Sequence, residues 1–247
     1  MITSKSNQQL KKVRQLLDSA KERRKQGLFV IEGTRLVGEA PQELIESVFI
    51  SAEYQKNGGS IPEGTEAEVV ADDLFRSLSD TVNPQGILAV VRQPSTSLDE
   101  VMGAQLYVLL DDIRDPGNLG TIVRTAEAAG AGVIMNEGCV DIFNPKVIRS
   151  TMGTIFRVPF AICNMVEAVE QLKSRGVTVC AAVLDGSIPY RELDTDGPAA
   201  FVIGNEANGV SGEVAGACQV RVRIPMKGQV ESLNAAISAA ILLYSRA

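Results

Sequence analysis

Three segments of the sequence bring amide, carboxylate, guanidinium and glycine residues together at spacings that could bind a ligand and do chemistry. In the first, DPGNLGTIVRTA at residues 115–126, an apolar run ends at a Pro-Gly turn. Asn118 is expected near a helix start, where its side chain can cap free backbone amides. Arg124, further along that helix, can point toward the loop end of the preceding strand, where open α/β sheets bind ligands. The alternative is a capping asparagine beside a surface arginine.

The second segment, FVIGNEANGVS at residues 201–211, predicts a strand followed by a glycine-containing loop. Gly204 permits a ligand to approach the backbone closely. A dinucleotide fingerprint needs the pattern G-x-G-x-x-G, and Glu206 stands at its second glycine. Because that carboxylate would repel a pyrophosphate, we exclude a nicotinamide cofactor. Glu206 could instead hold a loop or an amino group.

The third segment, VRIPMKGQVESLNAAI at residues 222–237, predicts a strand, a loop and the final helix. Ser232 can cap that helix, whereas Asn234 near a helix start is costly unless it caps or binds something. Apolar residues at helical spacing predict a stripe on this helix that faces the core. The stripe comprises Leu233, Ala236, Ile237, Ala240, Ile241 and Tyr244.

Composition excludes several kinds of chemistry. Histidine is absent from the 247 residues, which removes histidine metal ligands, Ser-His or Cys-His nucleophile pairs and imidazole bases. The four cysteines form no C-x-x-C pair, so we expect buried free thiols and no metal site. The start lacks the apolar core of a signal peptide, and no apolar stretch approaches the roughly 20 residues of a membrane span. We therefore expect a cytoplasmic protein without membrane contact.

Positive charge is concentrated at the start of the chain, although the net charge is −6. Residues 1–26 contain eight Lys or Arg and two Asp or Glu, a net charge of +6, which leaves −12 for the remainder. A basic helix on an acidic protein could form a local phosphate-binding surface. The alternative is a solvated helix face.

Apolar runs and helical patterns alternate on both sides of a linker at residues 92–99, where Pro, Ser and Thr lack apolar periodicity. Before the linker we predict strands at 27–33, 46–51 and 86–91 and a helix at 71–79. After it we predict strands at 106–110, 132–135, 178–183, 199–203 and 220–224, and helices at 119–129, 145–152, 165–175 and 233–245. This alternation predicts an α/β fold with a mostly parallel sheet covered on both faces.

The patterns N-x-G-x-x-x-R-T-A, G-N-E-x-x-G and I-P-M-x-G-x-x-x-S-L-N occur in that order. Together they resemble the three motifs of the SpoU-type RNA ribose 2′-O-methyltransferases of the SPOUT superfamily. Residues 29–33 and 83–86 are similar to a substrate-binding domain often found ahead of this catalytic domain, which looks like a ribosomal-protein RNA-binding fold. The resemblance predicts an RNA-binding domain at residues 1–95 and a methyltransferase domain at 104–247.

The resemblance implies an α/β catalytic domain whose C-terminal part forms a deep trefoil knot, preceded by a small α/β RNA-binding domain. It also implies S-adenosylmethionine as the cofactor and a homodimer as the working form. By position in and near the motifs, the cofactor-binding residues would be Leu184, Gly186, Gly204, Ile224, Met226 and Leu233.

The implied reaction is attack of a ribose 2′-hydroxyl on the sulfonium methyl. Arg124 would position the ribose phosphate and help to deprotonate the hydroxyl, but arginine stays protonated in ordinary settings, which favours positioning. The site or the RNA would be organised by Asn118, Glu206, Ser232 and Asn234. Ribosomal RNA is the expected substrate because the first domain looks like a ribosomal RNA binder. A transfer RNA substrate and an RNA-binding protein without catalysis are the alternatives.

Overall fold

The structure is a computed structural model that forms two compact units. One contains residues 1–95 with 143–156, and the other contains residues 96–142 with 157–247. The described residues are 1–79, 81, 83–94, 96–194 and 196–247. Part of the predicted linker, Ser95, lies outside them.

The first unit includes a segment that the sequence places in the second predicted domain. The rings of Phe143 and Phe156 lie 4.9 and 6.1 Å from the ring of Phe29, measured between centroids. This aromatic cluster gives a physical reason why residues 143–156 group with the first unit. The two predicted sequence domains stay a prediction.

The first unit is built on a mixed four-stranded sheet. Its elements are α1 (Gln8–Asp18), α2 (Ala20–Gln26), β1 (Leu28–Glu32), α3 (Thr34–Glu39), β2 (Ile45–Ser51), α4 (Ala52–Lys56), β3 (Ala67–Val70), α5 (Asp72–Arg76) and β4 (Ile87–Arg92). The described strands lie in the order β1-β4-β2-β3, with β4 antiparallel to β1 and β2, and β3 parallel to β2. The predictions of β1, β2 and β4 are confirmed. The short β3, with an internal glutamate, carries too little apolar pattern to be predicted.

The remaining elements alternate between strands and helices, as the sequence predicts. They are α6 (Leu98–Val101), β5 (Leu106–Asp111), α7 (Pro116–Ala128), β6 (Gly132–Met135), α8 (Pro145–Thr151), β7 (Phe160–Ile162), α9 (Met165–Ser174), β8 (Thr178–Ala182), β9 (Ile188–Pro189), β10 (Ala199–Gly204), α10 (Gly212–Ala217), β11 (Val220–Arg223) and α11 (Ala235–Tyr244). The sequence does not predict α6, β7, β9 or α10, which are too short for a pattern to repeat.

The second unit is organised by a parallel sheet. Among the described residues its strands lie in the order β7-β6-β5-β10-β8-β11-β9, and every recorded pairing is parallel. Every residue of β5 and β6 is buried, which is typical of parallel strands covered on both faces. The α/β prediction with a parallel sheet is confirmed. The carboxyl ends of these strands meet at one edge of the sheet.

Two predicted helix caps are wrong. Asp115 caps α7, because its side chain accepts from the backbone N–H of Asn118 at 2.8 Å. Asn234 caps α11, accepting from the N–H groups of Ala236 and Ile237, so Ser232 does not cap it. In both cases the helix boundary lies a few residues from its predicted place, which moves the capping position.

The predicted core-facing stripe of α11 is also wrong in part. Ile237 and Tyr244 are 50% and 58% exposed. The buried side chains of the helix are Ala235, Ala236, Ala239, Leu242 and Leu243. Because this helix is apolar on most of its circumference, its periodicity does not distinguish the buried face. Within the described chain, no helix combines the length and apolarity that crossing a bilayer requires.

Three of the N-terminal basic residues make side-chain contacts within the first unit. Arg23 is 3% exposed and donates to the carbonyls of Leu16 and Leu17 at 2.6 and 3.0 Å, which satisfies the end of α1. Lys12 pairs with Glu46, and Arg14 donates to Ser77. The bases that are exposed and make no side-chain hydrogen bond or ion pair in the described structure are Lys5, Lys11, Lys21, Arg24 and Lys25.

Candidate active site

A cavity of about 790 Å³ opens at the carboxyl ends of β8, β10 and β11, which are neighbours in the parallel sheet. Its volume lies in the range of small-molecule sites, and this edge is where open α/β sheets bind ligands. The predicted site residues that line it are Leu184, Gly204, Glu206, Ile224, Met226, Ser232, Leu233 and Asn234. Of the three sequence segments, the second and third contribute residues to the cavity wall and the first does not.

The other predicted residues lie outside the cavity wall. Gly186 is in a turn after β8 with φ of +66°, and Asn118 and Arg124 are on α7. Several polar residues line the wall without having been singled out from the sequence, among them Asn205 and Arg221. Asn205 stands beside Glu206 in the second segment, which was the available signal, whereas Arg221 lies inside a strand, where the sequence carries no signal.

Gly204 is required by the loop's own backbone. A Cβ at this position would lie 2.1 Å from the carbonyl carbon of Gly209 and from the nitrogen of Val210. The loop folds back because Asn205 and Gly209 exchange backbone hydrogen bonds of 3.0 and 2.8 Å. The sequence explains this glycine by ligand approach, but the structure shows a tight backbone contact that no other residue permits.

Glu206 joins the first two segments through hydrogen bonds. Its carboxylate accepts from the side-chain amide of Asn118 at 2.9 Å. It also accepts from the backbone N–H groups of Arg114 and Asp115, at 3.3 Å each. An ionised carboxylate can satisfy several donors at once. Glu206 thus holds the loop after β10 against the start of α7.

Two opposing effects set the pKa of Glu206. Partial burial raises it, whereas hydrogen bonds from the Asn118 side chain and from the backbone N–H groups of Glu206, Arg114 and Asp115 lower it. The hydrogen bonds prevail, so the pKa is below the usual value for glutamate. Glu206 is therefore ionised at neutral pH.

Asn234 connects the third segment to the first two. Its side-chain Nδ2 donates to Oδ1 of Asn118 at 2.8 Å, while its Oδ1 caps α11. With the bond from Asn118 to Glu206, this makes a continuous chain of three side chains from three distant parts of the sequence. Ser232 is exposed and makes no side-chain hydrogen bond within the part of the chain that the structure describes.

Arg124 is available for an external ligand. It lies on α7, where Leu119, Ile122, Val123 and Ala126 are buried as predicted, and its own side chain is exposed. Its side chain makes no hydrogen bond or ion pair with the described residues. A guanidinium without an internal partner can bind a phosphate in two-pronged geometry.

The thiols are poor candidates for chemistry. Cys139 and Cys180 are buried, and Cys163 and Cys218 are half-buried. Burial raises the pKa of Cys139 to about 11 and of Cys180 to about 12, so both stay protonated and unreactive at neutral pH. Among the described side chains, no group of three or more His, Cys, Asp or Glu is arranged to hold a metal ion.

A parallel α/β unit with a cavity at the carboxyl ends of adjoining strands belongs to the class of open-sheet ligand-binding domains. The chain belongs to the SpoU rRNA Methylase family, whose sequence pattern matches residues 105–244. Residues 7–89 match the MRM3-like substrate binding domain. The resemblance drawn from the three motifs is confirmed.

Relatives extend over nearly the whole chain. The 23S rRNA (guanosine(2553)-2′-O)-methyltransferase RlmP of Bacillus subtilis strain 168 is 35% identical over 246 residues, covering 98% of this chain and 97% of that protein. The AdoMet-bound rRNA methyltransferase from Sinorhizobium meliloti has a TM-score of 0.87 at 33% identity, covering 99% of this chain and 96% of that one. The SpoU methyltransferase AviRb from Streptomyces viridochromogenes, in complex with AdoMet, has a TM-score of 0.84 at 27% identity over 97% of each chain.

Proposed function

We propose that this chain is an S-adenosylmethionine-dependent enzyme that methylates a ribose 2′-hydroxyl of ribosomal RNA. One observation carries the proposal. The side chains of Glu206, Asn118 and Asn234 form one hydrogen-bonded chain beside the cavity and so join all three motif segments at one place. Family membership supports methyl transfer to RNA as the reaction. Related structures with bound AdoMet, which is S-adenosylmethionine, support this molecule as the cofactor.

The cavity fits the cofactor in size and lining. The cavity is lined by the apolar residues Leu184, Ile224 and Leu233 and by the loop at residues 204–210, whose backbone offers donors and acceptors. That combination suits a nucleoside held by apolar contacts and backbone hydrogen bonds. We assign cofactor binding to Leu184, Gly204, Ile224, Met226 and Leu233, with Gly186 in the adjoining turn. Bound S-adenosylmethionine would supply a methyl group on a sulfonium, from which a neutral thioether departs as a good leaving group.

The polar residues position the reactants. Arg124, exposed and without an internal partner, binds a phosphate next to the target ribose. Glu206 and Asn118 hold the loop and the start of α7 together, and Asn234 attaches the third segment to them. Ser232 lines the cavity and is free to contact the RNA or the cofactor. Correct placement of the hydroxyl can supply much of the rate acceleration.

Ribosomal RNA is favoured by the Bacillus subtilis relative, which is named for 23S rRNA. Transfer RNA is the alternative, because the Synechocystis protein slr1673, 31% identical over 252 residues, is named an uncharacterized tRNA/rRNA methyltransferase. We assign RNA binding outside the active site to the first unit, whose exposed bases on α1 and α2 offer phosphate contacts. A binding protein without catalysis is disfavoured by the presence of Asn118, Arg124 and Glu206.

We further propose a trefoil knot, a homodimer and a cytoplasmic location. The knot is supported by the path of the chain. β11 lies on one side of β8, whereas β10 and β5 lie on the other. After β11 the chain returns, and α11 packs on β10, β5 and α7. The homodimer is supported by the exposed apolar side chains of Ile237 and Tyr244 on α11. The cytoplasmic location agrees with a ribosomal RNA substrate.

The test is transfer of a radiolabelled methyl group from S-adenosylmethionine to purified ribosomal and transfer RNA from a strain that lacks the gene. We expect label in ribosomal RNA. Arg124→Ala should lower the rate by roughly 100-fold or more, because the ribose is no longer placed correctly. Since Arg124 is exposed and has no internal partner, the cofactor affinity and Tm of this variant should match wild type.

Label in transfer RNA alone would mean that transfer RNA, and not ribosomal RNA, is the substrate. A wild-type protein that binds both cofactor and RNA but transfers no label would favour the non-catalytic alternative.

A further inference from the structure

Asp111 is a buried carboxylate to which the proposed reaction gives no role. It ends β5 and is 5% exposed. Its Oδ1 accepts from the side-chain amide of Asn136 at 2.8 Å, and its Oδ2 accepts from the backbone N–H of Ser211 at 2.8 Å. Burying a carboxylate is costly unless it is hydrogen-bonded, and here both oxygens are.

The bond to Ser211 attaches the loop after β10 to the end of β5. Ser211 is the last residue of that loop and caps α10 through its hydroxyl. At the first residue of the loop, Asn205 donates its side-chain amide to the carbonyl of Asp112 at 2.8 Å. The loop is therefore held at one end by the Asp111 carboxylate at the end of β5 and at the other by the carbonyl of Asp112, the next residue.

The residues between these two attachments, 205–210, all line the cavity and include Glu206. We propose that Asp111 is a positioning residue, which sets the loop in the shape that binds the cofactor and that brings Glu206 to Asn118. Asp111 does not line the cavity and acts through Ser211. The proposal rests on the proposed function for its ligand, S-adenosylmethionine.

Asn136 provides a direct test of this arrangement. Its Oδ1 accepts the backbone N–H of Asp112 at 3.1 Å while its Nδ2 donates to Asp111. Asp111→Asn sets one amide N–H₂ group against another donor, and Asn136→Asp sets two carboxylates face to face. The double variant D111N/N136D keeps every one of these hydrogen bonds and the net charge, with the direction of one bond reversed.

The experiment measures the Kd for S-adenosylmethionine by calorimetry, the kcat and KM of methyl transfer, and Tm. Each single variant should weaken cofactor affinity by about tenfold or more, and the double variant should return to within about threefold of wild type. Val133→Ala, which opens a small cavity in the buried strand β6, is the control for general destabilisation. It should lower Tm and leave the cofactor Kd unchanged.

Three results would overturn the proposal: wild-type cofactor affinity in both single variants, a double variant no better than Asn136→Asp, or an equal loss of affinity in Val133→Ala at the same Tm. Failure of the proposed function has a different signature. A wild-type protein that binds S-adenosylmethionine but methylates no RNA would end that proposal, while the cofactor affinities would still decide the role of Asp111. A wild type that does not bind the cofactor would overturn both.

Discussion

Glu206 shows how a single side chain can connect the loop after β10 to the start of α7. Its three donors come from the turn before α7 and from Asn118 on that helix. They stabilise the ionised carboxylate and hold its pKa below the usual value against the opposing effect of burial. The site therefore stabilises the charged form of this side chain.

We expect Glu206→Gln to lower cofactor affinity and methyl transfer roughly 10- to 100-fold, because its amide N–H₂ must face at least one donor. The variant should also lower Tm at neutral pH. The depressed pKa means that the carboxylate stabilises the folded state above the unfolded-state pKa of about 4.3. This stabilisation is lost as the pH falls through the lower folded-state pKa.

Thermal unfolding at a series of pH values checks this prediction. The Tm difference between wild type and Glu206→Gln should be constant from about pH 8 to 5 and shrink below the usual glutamate pKa. Glu63→Gln, in the first unit and without a side-chain partner among the described residues, is the control and should match wild type throughout. A Tm difference that grows on acidification would contradict the prediction.

Among the elements, the loop after β10 depends on backbone packing at its first residue. We expect Gly204→Ala to displace the loop, because its Cβ would lie 2.1 Å from backbone atoms of Gly209 and Val210. Cofactor affinity should fall at least tenfold, as judged by calorimetry, since this loop lines the cavity. Gly216→Ala on α10 is the matched control, because nothing lies within 4 Å of its Cβ. The cofactor affinity of Gly216→Ala should equal that of wild type.

The start of α11 combines capping and attachment in one side chain, and two substitutions separate them. Asn234→Ala removes the cap and should cost about 1 kcal/mol of stability. Asn234→Asp keeps the capping oxygen but sets a carboxylate against Oδ1 of Asn118, so Tm should stay near wild type while methyl transfer falls. Denaturant unfolding and single-turnover methyl transfer measure the two effects. Ser232→Ala should leave stability unchanged, because Ser232 does not cap α11.

For the whole molecule, the acidic net charge of −6 raises the question of how RNA is bound. The structure narrows the eight N-terminal bases to five that are exposed and make no side-chain contact among the described residues. The buried Arg23 belongs to the fold, because it satisfies the carbonyls at the end of α1. Exposed bases concentrated in one stretch of the chain can attract phosphates locally even on an acidic protein.

We therefore expect Lys21→Glu with Lys25→Glu to weaken RNA binding and to reduce the slope of log affinity against log salt by about 1.5 to 2. Filter binding over a salt series measures both quantities. The control is Lys56→Glu with Arg76→Glu, which makes the same charge change elsewhere on the first unit. Equal losses of affinity in the two double variants would mean that net charge, rather than this surface, governs RNA binding.

Local patterns in the chain were sufficient for much of the fold and for the identity of the chemistry. Apolar runs that end in glycine and proline predicted the long strands, because strands buried on both faces need such runs. The motif residues Asn118, Glu206 and Asn234 were recognised because their order along the chain is specific. Short elements such as β7, β9 and α10 carry too few residues for a strand or helix pattern to repeat.

Contacts between distant residues decided the rest. Asn118 and Asn234 are 116 positions apart, so their hydrogen bond depends on how α7 and α11 pack. The buried face of α11 depends on the same packing, because an apolar helix has no preferred side until a neighbour covers one. Arg23 looked like a surface base because charge is visible in a sequence, whereas burial against carbonyls is a property of the folded chain.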